Sequence, residues 1–248
     1  MKVLAFNCSP RMDNGNTALI LNPFLEGMKE VGAEVELFYT RELKINPCRG
    51  DFICWLKTPG ECWQKDDMQM LYPKLREAEI CVFGTPVYVD GISGPMKNLL
   101  DRIIPGVQPF FELRDGHCRH LLREGHKYGK VVLVSNCGFW EMDNFDPLLV
   151  HTKAFCRNGA MEFAGALLRP HGEALRPMME MGISLDDVFE AAREAGRQLV
   201  KDGRMSAETL NIVSRELVPL ETYIKAANEM FQQTLDALKK IEAAKLKK

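Results

Sequence analysis

The sequence predicts an α/β fold: a doubly wound parallel sheet of strand order 2-1-3-4-5 with a C-terminal helical extension. Three observations predict it. Five short apolar runs alternate with amphipathic stretches, the pattern of parallel strands joined by helices. The runs are apolar almost throughout, as strands covered on both faces are. The first run opens through a polar, glycine-containing loop straight into a helix, and right-handed crossovers restrict such an alternation to a doubly wound sheet.

The elements follow in order. The first strand, 2–6, is carried by Val3-Leu4-Ala5-Phe6, and the helix after it, 17–31, begins Ala18-Leu19-Ile20-Leu21. A strand at 34–39 precedes a helix at 68–77. The third strand, 80–84, leads to a helix at 94–103. The fourth, 130–135, leads to a helix at 145–158, and the fifth, 161–168, to a helix at 185–201. Two segments exceed this alternation. Residues 43–65 hold three cysteines, two tryptophans and Pro59-Gly60; connections of this length are functional or disordered. Residues 105–128 are rich in charge and histidine, and are expected to be a solvated loop. Two domains are expected, 1–205 and a helical extension at 206–248. In the extension Leu220, Tyr223, Ile224, Ala227, Phe231, Leu235, Leu238 and Ile241 fall at helical spacing, to pack on their own domain or to meet another subunit. Lys239, Lys240, Lys245, Lys247 and Lys248 make a solvated basic end.

Composition narrows the function. The 248 residues are 46% hydrophobic, enough for a full core. Lys and Arg number 32 against 34 Asp and Glu, so nothing predicts a nucleic-acid groove or an anionic membrane surface. No apolar run is long enough to span a bilayer, and the chain runs into a strand pattern without a cleavable leader. A cytoplasmic protein with reduced thiols is expected.

The loop Ser9-Pro10-Arg11-Met12-Asp13-Asn14-Gly15-Asn16-Thr17 reads as a phosphate cradle. A helix N-terminus leaves N–H groups unpaired and carries partial positive charge. Ser9, Asn16 and Thr17 add donors, and the Arg11 fork matches phosphate oxygens. Read alone, Asn14-Gly15 is equally a turn and Asn16-Thr17 a helix cap. Neither a dinucleotide G-x-G-x-x-G nor a G-x-x-x-x-G-K-[ST] loop occurs. In the 2-1-3-4-5 order the ligand crevice lies between the first and third strands. There the loop Thr85-Pro86-Val87-Tyr88-Val89-Asp90-Gly91-Ile92-Ser93 offers flat and apolar surface and backbone N–H groups for a ring carbonyl. Asn136-Cys137-Gly138-Phe139-Trp140 ends the fourth strand at the same edge. One phosphate and one flat ring describe FMN.

Ser9-x-Arg11 with Gly15-Asn16-Thr17, then Thr85-Pro86-Val87-Tyr88, then Lys97 and Asp101-Arg102, resembles the NAD(P)H-dependent FMN reductases of the flavodoxin-like superfamily. The run from Cys48 to Cys62, with Asp66-Asp67-Met68 behind it, resembles the branch containing the iron–sulfur flavoproteins. The resemblance implies a phosphate on Ser9, Arg11, Gly15, Asn16 and Thr17 and a ring against Pro86, Val87, Tyr88 and Val89. Gly91 and Ser93 would close the pocket, with Asn136 and Gly138 from the fourth-strand loop. It implies a homodimer or homotetramer, with NADH or NADPH as co-substrate and, as electron acceptor, a small molecule such as a quinone, a flavin or a nitro compound, or a redox partner protein. A non-enzymatic FMN electron carrier with a degenerate iron–sulfur site is the alternative. No side chain is assigned a catalytic role, because hydride transfer to a flavin needs no acid or base.

The branch supplies four thiolates to a cluster. Here Cys48, Cys54 and Cys62 match, but Asp51 stands in the second position, and a carboxylate is a harder ligand for iron. An iron held by Asp51 would be labile, leaving a three-iron cluster or, as expected here, none; the thiols are then packing groups in a loop covering the flavin, with a redox-active Cys48–Cys54 pair as a third reading. His117, Cys118, His120 and His126 lack the paired spacing of a zinc site. Lys97, Asp101 and Arg102 read as a solvated helix face.

Overall fold

A computed structural model describes residues 1–125 and 129–245. His126, Lys247 and Lys248 lie outside the described residues. The strands of the main sheet are β1 (Lys2–Asn7), β2 (Glu34–Tyr39), β3 (Ile80–Pro86), β6 (Lys130–Asn136) and β7 (Glu162–Arg169). They pair in parallel in the order β2-β1-β3-β6-β7, which is the expected 2-1-3-4-5 topology. The extra strands β4 (Val107–Arg114) and β5 (His117–Leu122) pair only with each other.

Helices cover both faces. On one, α1 (Asn16–Glu30) crosses α7 (Asp186–Asp202) in backbone-to-backbone contact. A Cβ at Gly27 would lie 1.9 Å from Arg193 O, and one at Gly196 2.1 Å from Phe24 O. Only glycine permits that approach. On the other face, Leu4, Phe6 and Phe83 of the sheet pack with residues of α3 (Met68–Glu77), α4 (Gly94–Asp101) and α5 (Asp146–Asn158). Phe6 stacks between Phe38 and Phe83, with ring centroids 6.0 and 5.6 Å away, and so fixes three neighbouring strands.

Within the segment expected to be a solvated loop, residues 107–114 and 117–122 form strands instead. β4 and β5 form an antiparallel hairpin turned by Asp115 and Gly116 at φ 53° and 75°. Left-handed φ at both central residues is the turn that matches strand twist, and Asp-Gly supplies it. The hairpin packs on the first insertion, where the Trp55 ring lies 4.8 Å from that of His120, which Phe111 also meets at 4.9 Å. His120 is thus an aromatic packing residue. Arg102 is a second correction. It is 1% exposed rather than solvated, and pairs at 2.7 Å with Asp66, itself fully buried. Lys97 and Asp101 do pair on the exposed helix face.

Three helices lie outside those individually expected, two of them α6 (Leu175–Glu180) and α8 (Ala207–Ser214). Buried Arg169 donates to the α8 carboxyl-end carbonyls of Val213 at 2.7 Å and Arg215 at 2.5 Å. The short α2 (Ile53–Leu56) sits in the first insertion. One compact unit spans Met1–Arg215, so α8 belongs to it; the second spans Glu216–Lys248 and contains α9 (Leu220–Lys245). Among the described residues, no helix is long and apolar enough to cross a membrane.

Candidate functional site

The polar loop follows β1 at its carboxyl end. Asn7 Oδ1 accepts the Ser9 amide at 3.0 Å, and Ser9 Oγ accepts the Arg11 amide at 3.3 Å. Helix α1 is capped by Gly15 with no side-chain acceptor, so the first-turn N–H groups of Asn16 and Thr17 are left for something else. Asn14 and Gly15 do form a turn, their amides donating to Arg11 O and Met12 O, while neither Asn16 nor Thr17 is the cap residue of α1. Ser9, Gly15, Asn16 and Thr17 are buried, and the Arg11 side chain lies exposed at the rim. A Cβ on Gly15 would sit 2.6 Å from Ser9 Oγ. Two buried polar atoms here have no partner, Asn7 Nδ2 and Asn16 Oδ1. Turning the Asn16 amide over would present donors instead. Open amides, orphaned polar atoms and a wall that tolerates no Cβ fit a bound phosphate.

The second turn is tied to the first. Ser93 Oγ donates to Cys8 O at 2.9 Å, and the Ser93 amide donates to Thr85 Oγ1 at 3.0 Å. Thr17 Oγ1 donates to Asn136 Oδ1 at 2.5 Å, and the Val87 amide to Asn136 O at 2.9 Å. Ser93, Thr17 and Asn136 therefore fix the spacing between the loops, with their side chains buried. The Tyr88 and Gly91 backbones exchange hydrogen bonds at 3.0 and 3.1 Å, closing a hairpin with Val89 and Asp90 at its tip. Their φ of 47° and 58° makes Val89 an outlier, since β-branched residues avoid that region. Such strain costs about 1–3 kcal/mol and gathers at functional sites. The Val89 side chain is 99% exposed. The Val87 and Tyr88 amides are engaged within the protein, and Val89 and Asp90 lie at the exposed tip of this loop. Pro86 is buried, Val87 and Gly91 half-buried, and Tyr88 and Gly138 exposed.

Two groups were not foreseen. Arg176 of α6 donates through Nη2 to the cradle carbonyls of Asp13 at 3.3 Å and Gly15 at 3.4 Å, setting a cation behind the loop. His171 stacks on Trp140 at 5.8 Å, and its amide donates to Phe139 O at 2.6 Å. Burial, reinforced by Arg169, pushes its imidazole down to about 4. No local signal marks either residue, because both reach the site from the far end of the chain.

The three cysteines of the first insertion line one cavity of about 300 Å³ with Asp51 and Arg102. Burial raises the Cys54 thiol above its ordinary value, and Cys62 and Cys48 add to the shift. Cys62 Sγ accepts Arg102 Nη2 at 3.4 Å. Both Asp51 oxygens are taken, Oδ1 by the Ile53 amide at 3.1 Å and Oδ2 by the Trp63 indole at 2.8 Å. Among the described residues, no three His, Cys, Asp or Glu side chains are grouped to hold one metal ion. This donor set does not fit a four-thiolate cluster.

The profile of the NADPH-dependent FMN reductase family matches residues 1–134. The chain belongs to this family. Curated relatives of this FMN reductase-family chain include an iron-sulfur flavoprotein of Archaeoglobus fulgidus, 40% identical over 102 residues, or 41% of this chain and 48% of that one. An iron-sulfur flavoprotein of Methanocaldococcus jannaschii is 36% identical over 115 residues, 46% and 58% of the two chains. The chain thus spans about half the length of the curated relatives it matches. An FMN-dependent NADH-azoreductase from Bacillus anthracis, solved with FMN, superposes with a TM-score of 0.55 at 15% identity, covering 81% of this chain and 99% of that one. An NAD(P)H:quinone oxidoreductase from Methanothermobacter marburgensis gives 0.57 at 14% identity, covering 80% and 96%. These two likenesses establish the flavodoxin-like fold.

Proposed function

We propose that this chain binds one FMN and passes electrons from NADH or NADPH to a small acceptor such as a quinone, a free flavin or a nitro compound. The observation that carries the reading is the Ser93–Cys8 hydrogen bond of 2.9 Å, which holds an uncapped helix N-terminus and a flat-walled loop at one crevice. The match to the NADPH-dependent FMN reductase family supports it. When bound, FMN supplies the two-electron chemistry. The protein binds and orients. Ser9, Asn16 and the first α1 amides take the phosphate, Arg11 closes over it, and Arg176 adds charge behind it. Pro86, Val87 and Tyr88 wall the ring, and the Val89 and Asp90 amides donate towards its carbonyl edge. These fixed dipoles would stabilise negative charge on a bound flavin without reorganisation.

The working form is a homo-oligomer. Helix α9 exposes Leu220, Ile224, Phe231, Leu235, Leu238 and Ile241, and one helix cannot bury its own stripe. Antiparallel pairing of two copies would join the stripes. It would also set Lys239, Lys240 and Lys245 of one copy against the half bearing Glu221 and Glu229 of the other. Phe231→Asp should halve the mass seen by light scattering, and an unchanged mass would count against the pairing.

Anaerobic addition of NADH or NADPH to the FMN-loaded protein should bleach its visible absorption within seconds. Protein that neither nucleotide reduces, and that only dithionite bleaches, would overturn the reductase reading.

A further inference from the structure

The chain matches relatives named iron-sulfur flavoproteins, yet its first insertion is closed by protein groups at the place where a cluster would close it. Residues 48–54 form one arm of this insertion and 62–64 the other. The indole N–H of Trp63 donates to Asp51 Oδ2 at 2.8 Å, joining the arms directly. Asp51 Oδ1 accepts the Ile53 amide at 3.1 Å and sets the first turn of α2. The Arg49 guanidinium lies 5.0 Å from the Trp63 ring centre and holds the indole from its face. Gln64 Nε2 donates to Pro47 O at 3.2 Å, a second tie between the arms. Cys62 is fastened to the body by Arg102, which also binds Asp66 and the Asn46 carbonyl at 2.6 Å.

We propose that Asp51 acts as a metal-free clamp. Its carboxylate bridges the two arms through Trp63, and the insertion is an ordered wall beside the flavin domain that carries no iron–sulfur cluster. With one N–H donor on each oxygen, the Asp51 carboxylate is satisfied without a metal, and it is a harder ligand for iron than the thiolate a four-iron centre takes at that position. The clamp does not depend on the flavin reading, because FMN content is measured separately on every sample.

The test uses the full chain, purified anaerobically and loaded with FMN. Wild-type protein should contain no stoichiometric iron or acid-labile sulfide, and a chelator should leave its melting temperature unchanged. Asp51→Cys, reconstituted with iron and sulfide, should gain about four irons per chain and a brown chromophore. Trp63→Phe keeps the ring and removes only the donor. It should speed tryptic cleavage after Arg49 or Lys57 about tenfold, the scale of one lost charge-assisted hydrogen bond. Asp51→Ala should do the same, and the double variant should add nothing further. Stoichiometric iron in wild type, lost on Cys54→Ala, would overturn the proposal. So would cleavage rates that neither substitution changes, or an Asp51→Cys protein that takes up no cluster.

Discussion

Alanine at Gly15 separates the cradle from the fold. The backbone there, at φ −87° and ψ 153°, suits any residue, so the added methyl strains no dihedral. Its difficulty is space: the Cβ would lie 2.6 Å from Ser9 Oγ, 3.2 Å from Met12 O and 3.3 Å from Arg11 Cβ. An unstrained contact needs about 3.5 Å, so Ser9 Oγ must retreat by roughly 1 Å. The Arg11 amide then loses its 3.3 Å acceptor. That costs about 0.5–1.5 kcal/mol, while the stiffer unfolded chain returns about 0.4–1 kcal/mol. The two nearly cancel, and the melting temperature should move by no more than about 4 °C. Binding has no such compensation. One hydroxyl donor to a charged phosphate is worth about 1.5–3 kcal/mol, or roughly a 10- to 100-fold weaker Kd for FMN. Flavin fluorescence quenching on the apoprotein reads the affinity, with thermal melts in parallel. An FMN affinity within twofold of wild type would refute the placement of the phosphate.

Other outcomes follow from named contacts. Arg176→Gln removes the cation behind the Asp13 and Gly15 carbonyls and should weaken FMN about 3- to 10-fold at low salt, with the gap narrowing in high salt, by the same titration. Gly196→Ala drives a methyl to 2.1 Å from Phe24 O and should cost about 3 kcal/mol or more, lowering the melting temperature by roughly 6–12 °C. His171 sits near 4 in the folded protein, against an ordinary value of about 6.5. Between those values the unfolded chain takes up a proton that the folded one refuses, so stability falls as pH drops from 6.5 to 4, by up to about 3 kcal/mol. His171→Asn suits the local φ of 40° and should flatten that slope in urea melts at pH 5 and 7; an unchanged slope would contradict the assignment.

The main sheet was legible because its signals are local. Each strand is a contiguous apolar run, and the crossover rules then leave one order. The β1–α1 loop could be located for the same reason, since Ser9 to Thr17 are neighbours in the chain. The β4–β5 hairpin was legible too, through Asp115-Gly116 between apolar stretches, but its charge and histidines drew it towards a solvated loop. Arg102 could not be placed from its helix, because its burial depends on Asp66 of the preceding insertion. Arg176 joins the cradle only once β7 lies at the sheet edge. The left-handed Val89 contradicts local preference, and only the Tyr88–Gly91 exchange of hydrogen bonds explains how it is held.

Riboflavin and FMN differ only by the phosphate, so comparing their affinities for the apoprotein tests most directly whether the β1–α1 loop holds that group. One FMN should bind per chain, with riboflavin weaker by about 100-fold or more, the worth of several charge-assisted hydrogen bonds. Equal affinities, or no binding of either flavin, would contradict the account.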